Sequence, residues 1–324
     1  MVNTRRFQAP LAACLAIAGV GLSACSAGPD MSAIEAERTR PVQRYDTTQA
    51  LAANGKTVVA ASQAGVVLVS ADQGKTWRRE TLGPASLIGI TVCPDGSFLG
   101  VDFYRKVWSA GADGSGWKSA TLDKPRVPLT VACDRQGGWW VAGTRSMIAH
   151  STDRGASWTV TDMGEDAQIT GLQFVSDNFA IATGEFGMVL VSEDGGANWA
   201  ARGAMPDEFY PYAALFTSPE EGFVSGIAGQ MLHTTDGGLT WEKQANAADV
   251  PLYRLFMHDG VPHGVGADGV LARLEGDTWR SVAYPDPIPA FFAAGTSLPG
   301  QSAIVAGGPG GLLRVIGTKS ASGG

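Results

Sequence analysis

Ser192-Glu193-Asp194-Gly195-Gly196-Ala197-Asn198-Trp199 sets the reading of the chain, because its pattern, Ser-x-Asp-x-Gly-x-x-Trp, returns. Ser70, Asp72, Gly74 and Trp77 repeat it, as do Ser151, Asp153, Gly155 and Trp158. Thr234, Asp236, Gly238 and Trp241 keep it with Thr in first place, and two worn copies end at Trp117 and Trp279. The six tryptophans stand 40, 41, 41, 42 and 38 residues apart, a period that belongs to a blade or solenoid array. The hydroxyl and carboxylate oxygens are suited to accept nearby backbone N–H groups and close a tight turn. Gly takes the positive φ such a turn demands, and Trp covers the hairpin with a large apolar face. An apolar strand precedes each turn, as in Val66–Val69, Met188–Val191 and Met231–His233. Each copy therefore reads as a β-hairpin fastened by its own turn.

Working outward, the same forty-residue unit runs strand, turn, strand, Gly-containing hairpin, strand, Asp turn, strand starting at Trp. Four short strands in that length make a propeller blade. Counting the hairpins between second and third strands gives seven units: Gln63–Gly65, Asp102–Arg105, Thr144–Ser146, Glu185–Gly187, Ile227–Gly229, Ala267–Gly269 and Gly307–Gly311. Six blades is the alternative count. No Trp strand follows the last unit, so Val42–Asp46 is expected to supply its fourth strand by pairing with Leu312–Val315 and to close the ring, removing an open sheet edge. The fold class expected is an all-β, seven-bladed propeller of four-stranded antiparallel blades over residues 41–317, with 318–324 a disordered tail.

Composition agrees. The chain has 324 residues, 43 of them Gly, only 17% charged residues, and a net charge of −7. Short strands and tight turns suit that usage. An acidic chain without a basic run is a poor nucleic-acid binder, so no nucleic-acid partner is expected.

The N-terminus reads as a targeting segment: Arg5-Arg6, a small apolar run from Ala9 to Leu22, then Leu22-Ser23-Ala24-Cys25. The last four residues resemble a bacterial lipobox, which implies a signal peptide at 1–24 and a lipidated Cys25; the alternative is an ordinary secretory signal. Losing Arg5 and Arg6 and no acid takes the net charge from −7 to −9. Ser26 after the cysteine favours, by the same resemblance, an outer-membrane anchor facing the periplasm. Residues 25–40 read as a flexible tether. Of the remaining cysteines, Cys93 and Cys133 lie in corresponding strands of successive units; in an exported compartment they are either a disulfide or two buried thiols.

The stretch Phe216-Thr-Ser-Pro-Glu-Glu-Gly222, with Gly226, Gly229, Thr234, Asp236, Gly238 and Trp241 after it, resembles the repeat of the photosystem II stability and assembly factor propellers, whose lipoprotein members also occur outside photosynthetic bacteria. The resemblance holds at repeat level over residues 41–317. It implies a non-catalytic, monomeric scaffold for a membrane or envelope protein complex, with an arginine-rich patch on one face.

That face is expected opposite the Asp turns, where the hairpins and the linkers between blades open. There lie Tyr104-Arg105, Arg126, Arg145, Glu185-Phe186, Phe209-Tyr210, Tyr212 and Tyr253-Arg254. Arginine and aromatic side chains together are what interface cores favour. The Asp turns lack the clustered oxygens that calcium needs, and His150 and His233, taken as exposed, are a blade apart. His258 and His263, with Asp259 nearby, are two imidazoles without a third ligand, so no metal and no cofactor is expected. The same turn occurs in sialidases, so the alternative function is a glycoside hydrolase or glycan-binding propeller, drawing on Glu185 with Tyr210 or Tyr212, or on Glu185, Asp166 and Glu208 as carboxyl groups.

Overall fold

The structure, a computed structural model, describes residues 30–84 and 86–318. The chain divides into two units, Met1–Arg40 and Pro41–Gly324. The expected signal peptide and Cys25 lie outside the described residues. The described part of the first unit holds one helix, α1 (Ser32–Thr39), where a flexible tether was expected; it has no buried residue. Among the described residues no helix is long and apolar enough to cross a membrane.

Among the described residues, the strands of the second unit fall in seven consecutive sets. The first four are β1–β4 (Thr48–Ala53, Val58–Ser62, Val66–Ser70, Arg78–Thr81), β5–β8 (Leu87–Val92, Phe98–Asp102, Lys106–Ala110, Lys118–Thr121), β9–β12 (Pro128–Cys133, Trp139–Gly143, Met147–Ser151, Thr159–Asp162) and β13–β16 (Ile169–Phe174, Ala180–Gly184, Met188–Ser192, Ala200–Ala204). Then come β17–β20 (Pro211–Phe216, Gly222–Gly226, Met231–Thr234, Glu242–Asn246), β21–β24 (Leu252–His258, Val261–Gly266, Leu271–Glu275, Thr278–Ser281) and β25–β27 (Ala294–Ser297, Ala303–Gly307, Leu313–Gly317). Within a set each strand pairs antiparallel with the next. This is a β-propeller arrangement.

Position within a set governs composition. Second strands are buried on both faces, which explains their unbroken apolar runs such as Val-Val-Ala-Ala-Ser and Trp-Trp-Val-Ala-Gly. The fourth strands of the first two sets are polar and largely exposed: Arg-Arg-Glu-Thr, Lys-Ser-Ala-Thr. The core lies between sheets. Val59, Leu87 and Phe98 join the first and second sets; Phe179, Phe216 and Val224 join the fourth and fifth; Leu51, Leu68, Ala294 and Val305 join the first and the last. Each fully buried Leu or Phe contributes about 1.5–3 kcal/mol, so the joints between sheets carry most of the stability. First strands of successive sets touch, and β1 also lies against β25.

The expected fourth strand of the last set is absent, because Val42–Asp46 forms a turn instead of pairing along β27. The Asp46 carboxylate accepts the Gln43 N–H at 2.7 Å, and Asp46 N–H donates to the Gln43 carbonyl, which curls the segment. Asp46, itself buried, also takes both guanidinium nitrogens of Arg79 on β4, at 2.7 and 3.0 Å. The segment meets the last set at Gly311, whose N–H donates to the Asp46 carbonyl, and Val42 packs on the cluster that holds Ala294 and Val305. A second departure joins the fifth and sixth sets: β20 and β24 pair parallel at Ala245–Thr278 and Asn246–Trp279. The sixth set has only Gly276-Asp277 between β23 and β24, and Trp279 is fully buried with its indole N–H donating to Gln244 Oε1 at 2.7 Å.

Cys93 and Cys133 form a disulfide between the second and third sets, with Cα atoms 5.2 Å apart, within bridging range.

Candidate functional site

Antiparallel order places the turns of the propeller unit on two faces. Turns between first and second strands share one face with the Asp turns. The hairpins between second and third strands share the other with the linkers between sets.

On the turn face the repeat acts as a fastener. Ser192 Oγ accepts the Gly196 N–H at 2.7 Å and donates to Asp194 Oδ1; that carboxylate accepts the Asn198 N–H at 2.9 Å and its side-chain amide at 2.7 Å. Thr76, Ser157 and Thr240 play the Asn198 part for Asp72, Asp153 and Asp236. These hydrogen bonds hold all four carboxyls down to a pKa of about 2. Each turn also packs on the preceding set. A Cβ on Gly196 would sit 2.3 Å from the Trp140 ring, and one on Gly74 would sit 2.5 Å from Val315 of the last set. Ser70, Ser151, Ser192 and Thr234 are buried. The tryptophans at 77, 158 and 241 are half-buried and Trp199 is buried.

The hairpin face is built differently. Six hairpins hold a non-glycine residue in a left-handed conformation: Ala64 (φ 57°), Arg145 (60°), Phe186 (58°), Ala228 (55°) and Asp268 (53°) at the centre, and Arg105 (63°) one position later, where the others have Gly or Ser. Gly or Asn fits there at least cost, while an ordinary L-residue is strained by roughly 1–2 kcal/mol. Three successive sets nevertheless hold Arg105, Arg145 and Phe186 in this conformation, all exposed, with Phe186 at 63%. The hairpin carrying Arg145 has no Gly: Ser146 follows at φ 51°, buried, its N–H donating to the Ala167 carbonyl at 2.8 Å. Arg145 stands 3.8 Å from the exposed Asp166, a weak pair in water.

Around these tips the face is aromatic. Tyr104 is 71% exposed, and Phe103, Ile227, Phe291 and Tyr45 are exposed with it. Tyr210, Tyr212, Tyr253 and Phe291 form an edge-to-face chain with ring centroids 6.4, 5.4 and 6.1 Å apart. Arg126 is exposed in the linker before β9. Tyr45, Ile227 and Phe291 were missed in the sequence; a count of apolar side chains at the turn tips would have raised Ile227.

Two expected face residues sit elsewhere. Phe209 is buried in the joint between the fourth and fifth sets, its ring filling the space beside Gly226. Arg254 belongs to β21 and lines a cavity between first strands, just after the irregularity between Leu252 and Arg254. Glu185 Oε2 accepts the Gln168 N–H at 2.9 Å and so caps its own hairpin. Tyr210's phenol pKa is raised, first by burial and then by the Glu185 charge, which opposes the ionisation a tyrosine nucleophile requires.

The histidines are less exposed than expected. His150 stacks on Trp140 at 3.8 Å and His233 on Phe223 at 4.6 Å, each pair directly cross-strand. His258 and His263 are buried; His258 bonds through its ring nitrogens to Ser297 and Thr318 hydroxyls, joining the last two sets. Among the described residues no three His, Cys, Asp or Glu side chains cluster to hold a metal.

A family model described as the photosynthesis system II assembly factor YCF48 matches residues 154–252. The photosystem II assembly lipoprotein Ycf48 of Synechococcus sp. (strain CC9902) is 29% identical over 144 residues, 42% of each chain. The chloroplastic photosystem II stability/assembly factor HCF136 of Arabidopsis thaliana is 24% identical over 245 residues, 65% of this chain and 59% of its own. The chain thus spans from about two fifths to three fifths of these relatives' length. A solved structure described as YCF48 bound to D1 peptide superposes with a TM-score of 0.69 at 15% identity, covering 86% of this chain and 96% of that one. A virginiamycin B lyase from Staphylococcus aureus superposes at 0.73 with 14% identity, over 86% and 96%. At such identities the superpositions speak for the fold alone; the family model and the sequence relatives make the chain similar, over part of its length, to the photosystem II assembly factor propellers.

Proposed function

We propose that the chain is a non-catalytic assembly factor, anchored to the cell envelope by lipid on Cys25, that holds a membrane or envelope protein subunit on its hairpin face. In this reading the sets are seven blades of a ring closed where β1 meets β25, and the chain works as a monomer facing the periplasm from the outer membrane. One observation carries the reading: Arg105, Arg145 and Phe186 are held in strained left-handed conformations in the hairpins of three successive sets. Strain kept at exposed positions where Gly would relieve it points to a use outside the fold. The basic side chains Arg105, Arg126 and Arg145 lie beside the exposed Tyr104 and Phe186, with the half-buried Tyr212 and Tyr253 and the exposed Tyr210 farther round. Such a face suits a partner segment carrying acidic and apolar groups. The names of the relatives, photosystem II assembly lipoproteins, support both the anchoring and the assembly role. Shared anchoring would raise the effective concentration of a weakly bound partner.

The test is affinity capture of the lipidated full chain from solubilised envelope. One stoichiometric membrane or envelope partner is expected with the native chain, and its loss with Arg105→Gly, Arg145→Gly and Phe186→Gly combined. Equal recovery with and without the tip substitutions would overturn the reading.

A further inference from the structure

The inner strands of six sets, β1, β5, β9, β13, β21 and β25, line a channel cavity of about 380 Å³. Its wall is apolar and hydroxyl-bearing, with Thr91, Thr130, Thr170 and Thr296 one to a strand. Arg254 is the one ionisable residue among those that line it. Among the described residues no carboxylate comes within 4.0 Å of Arg254, and its guanidinium makes no hydrogen bond. Arg254 is half-buried, so its guanidinium is left to the water of the channel or to a ligand that enters it, where Met or Leu would avoid the partial loss of hydration.

We propose that the channel is a binding site for a small oxyanion, a carboxylate or a phosphate, gripped by the fork of Arg254 and hydrogen-bonded by the surrounding threonines. The guanidinium matches two oxygens of either group with parallel N–H donors, and threonine hydroxyls turn to donate to the rest. Size limits the ligand: at about 30 Å³ per water, the cavity takes roughly a dozen water-sized groups, so a small acid fits and a folded segment does not. Enclosure by the wall lowers the Arg254 pKa, the direction expected where the cation lacks its counter-charge. The site is separate from the hairpin face, so it stands or falls independently of the partner reading.

The experiment titrates the mature chain with succinate, citrate and inorganic phosphate at constant ionic strength, following heat of binding and melting temperature, with chloride as control. At least one acid is expected to bind one-to-one and to raise the melting temperature. Binding by succinate or citrate alone identifies a carboxylate ligand, and by phosphate alone a phosphate. In Arg254→Met the affinity falls at least about tenfold and the melting temperature stops responding. An equal response in both chains marks a general salt effect and overturns the proposal, as does binding by none of the three acids. Should Arg254→Met fail to fold, the guanidinium N–H resonance of Arg254 in the native chain decides. It shifts as the acid saturates, and an unmoved resonance overturns the site.

Discussion

On one face, Asp72, Asp153, Asp194 and Asp236 each accept a backbone N–H and a side-chain donor four residues on, and the glycine between them packs against the neighbouring sheet. On the other, turns of the same repeat put Ala64, Arg105, Arg145, Phe186, Ala228 and Asp268 into one backbone conformation with six positions and four side-chain types. The first face is constant because each residue in it fills a hydrogen bond or a contact. The second varies in its side chains while its backbone does not, and its costliest members are exposed. Residues that satisfy the fold and residues that strain it are thus sorted to opposite sides of one unit.

Substitutions can break that contrast. The largest effect is expected from Gly196→Val: φ is +97°, and the new Cβ would meet the Trp140 ring. A loss of about 3 kcal/mol or more, read by urea unfolding, is expected from strain and overpacking combined. Acid acts on all four Asp turns at once. Their folded pKa of about 2 lies below the ordinary value of 3.8, so their stabilisation is complete above about pH 4 and is lost as the pH falls toward 2. The urea midpoint is expected to drop across that window, and to drop less when all four are changed to Asn. Ser192→Ala strands the buried Gly196 N–H and is expected to cost about 1–2 kcal/mol in the same unfolding experiment. The smallest effect has the opposite sign: Phe186→Gly or Arg145→Gly relieves left-handed strain and is expected to raise stability by roughly 0.5–1 kcal/mol. A destabilisation of that size instead would mean the tips serve the fold.

The Asp turns were legible in the sequence because all their partners lie within eight residues, from Ser192 to Trp199. The four-strand unit followed from its period. Features that depend on distant neighbours were not legible. Val42–Asp46 has the length and place of a strand, yet its conformation is decided by Arg79, 33 residues from Asp46. Phe209 sits in an exposed-looking linker, and only the packing of its ring beside Gly226 shows it to be core. Arg254 reads as a rim residue in the sequence, and only its place on β21 among the other first strands shows that it lines the cavity. Two buried pairs also escaped notice, Asp102 with the Trp108 indole N–H and Asp134 with that of Trp140, both at 2.8 Å, because nothing in a lone Asp announces a partner six residues on. The hairpin loops were found, but their backbone conformation, which gives Arg145 and Phe186 equivalent stations and shifts Arg105 one position along, needed coordinates.

Site-specific photo-cross-linking in intact cells tests the division of faces most directly. A photoreactive phenylalanine analogue placed at 186 on the hairpin face is compared with one at Leu239, which is 55% exposed in an Asp turn on the other face. The account predicts a discrete membrane or envelope protein cross-linked from position 186 and absent from position 239. The same product from 239 and none from 186 would contradict it.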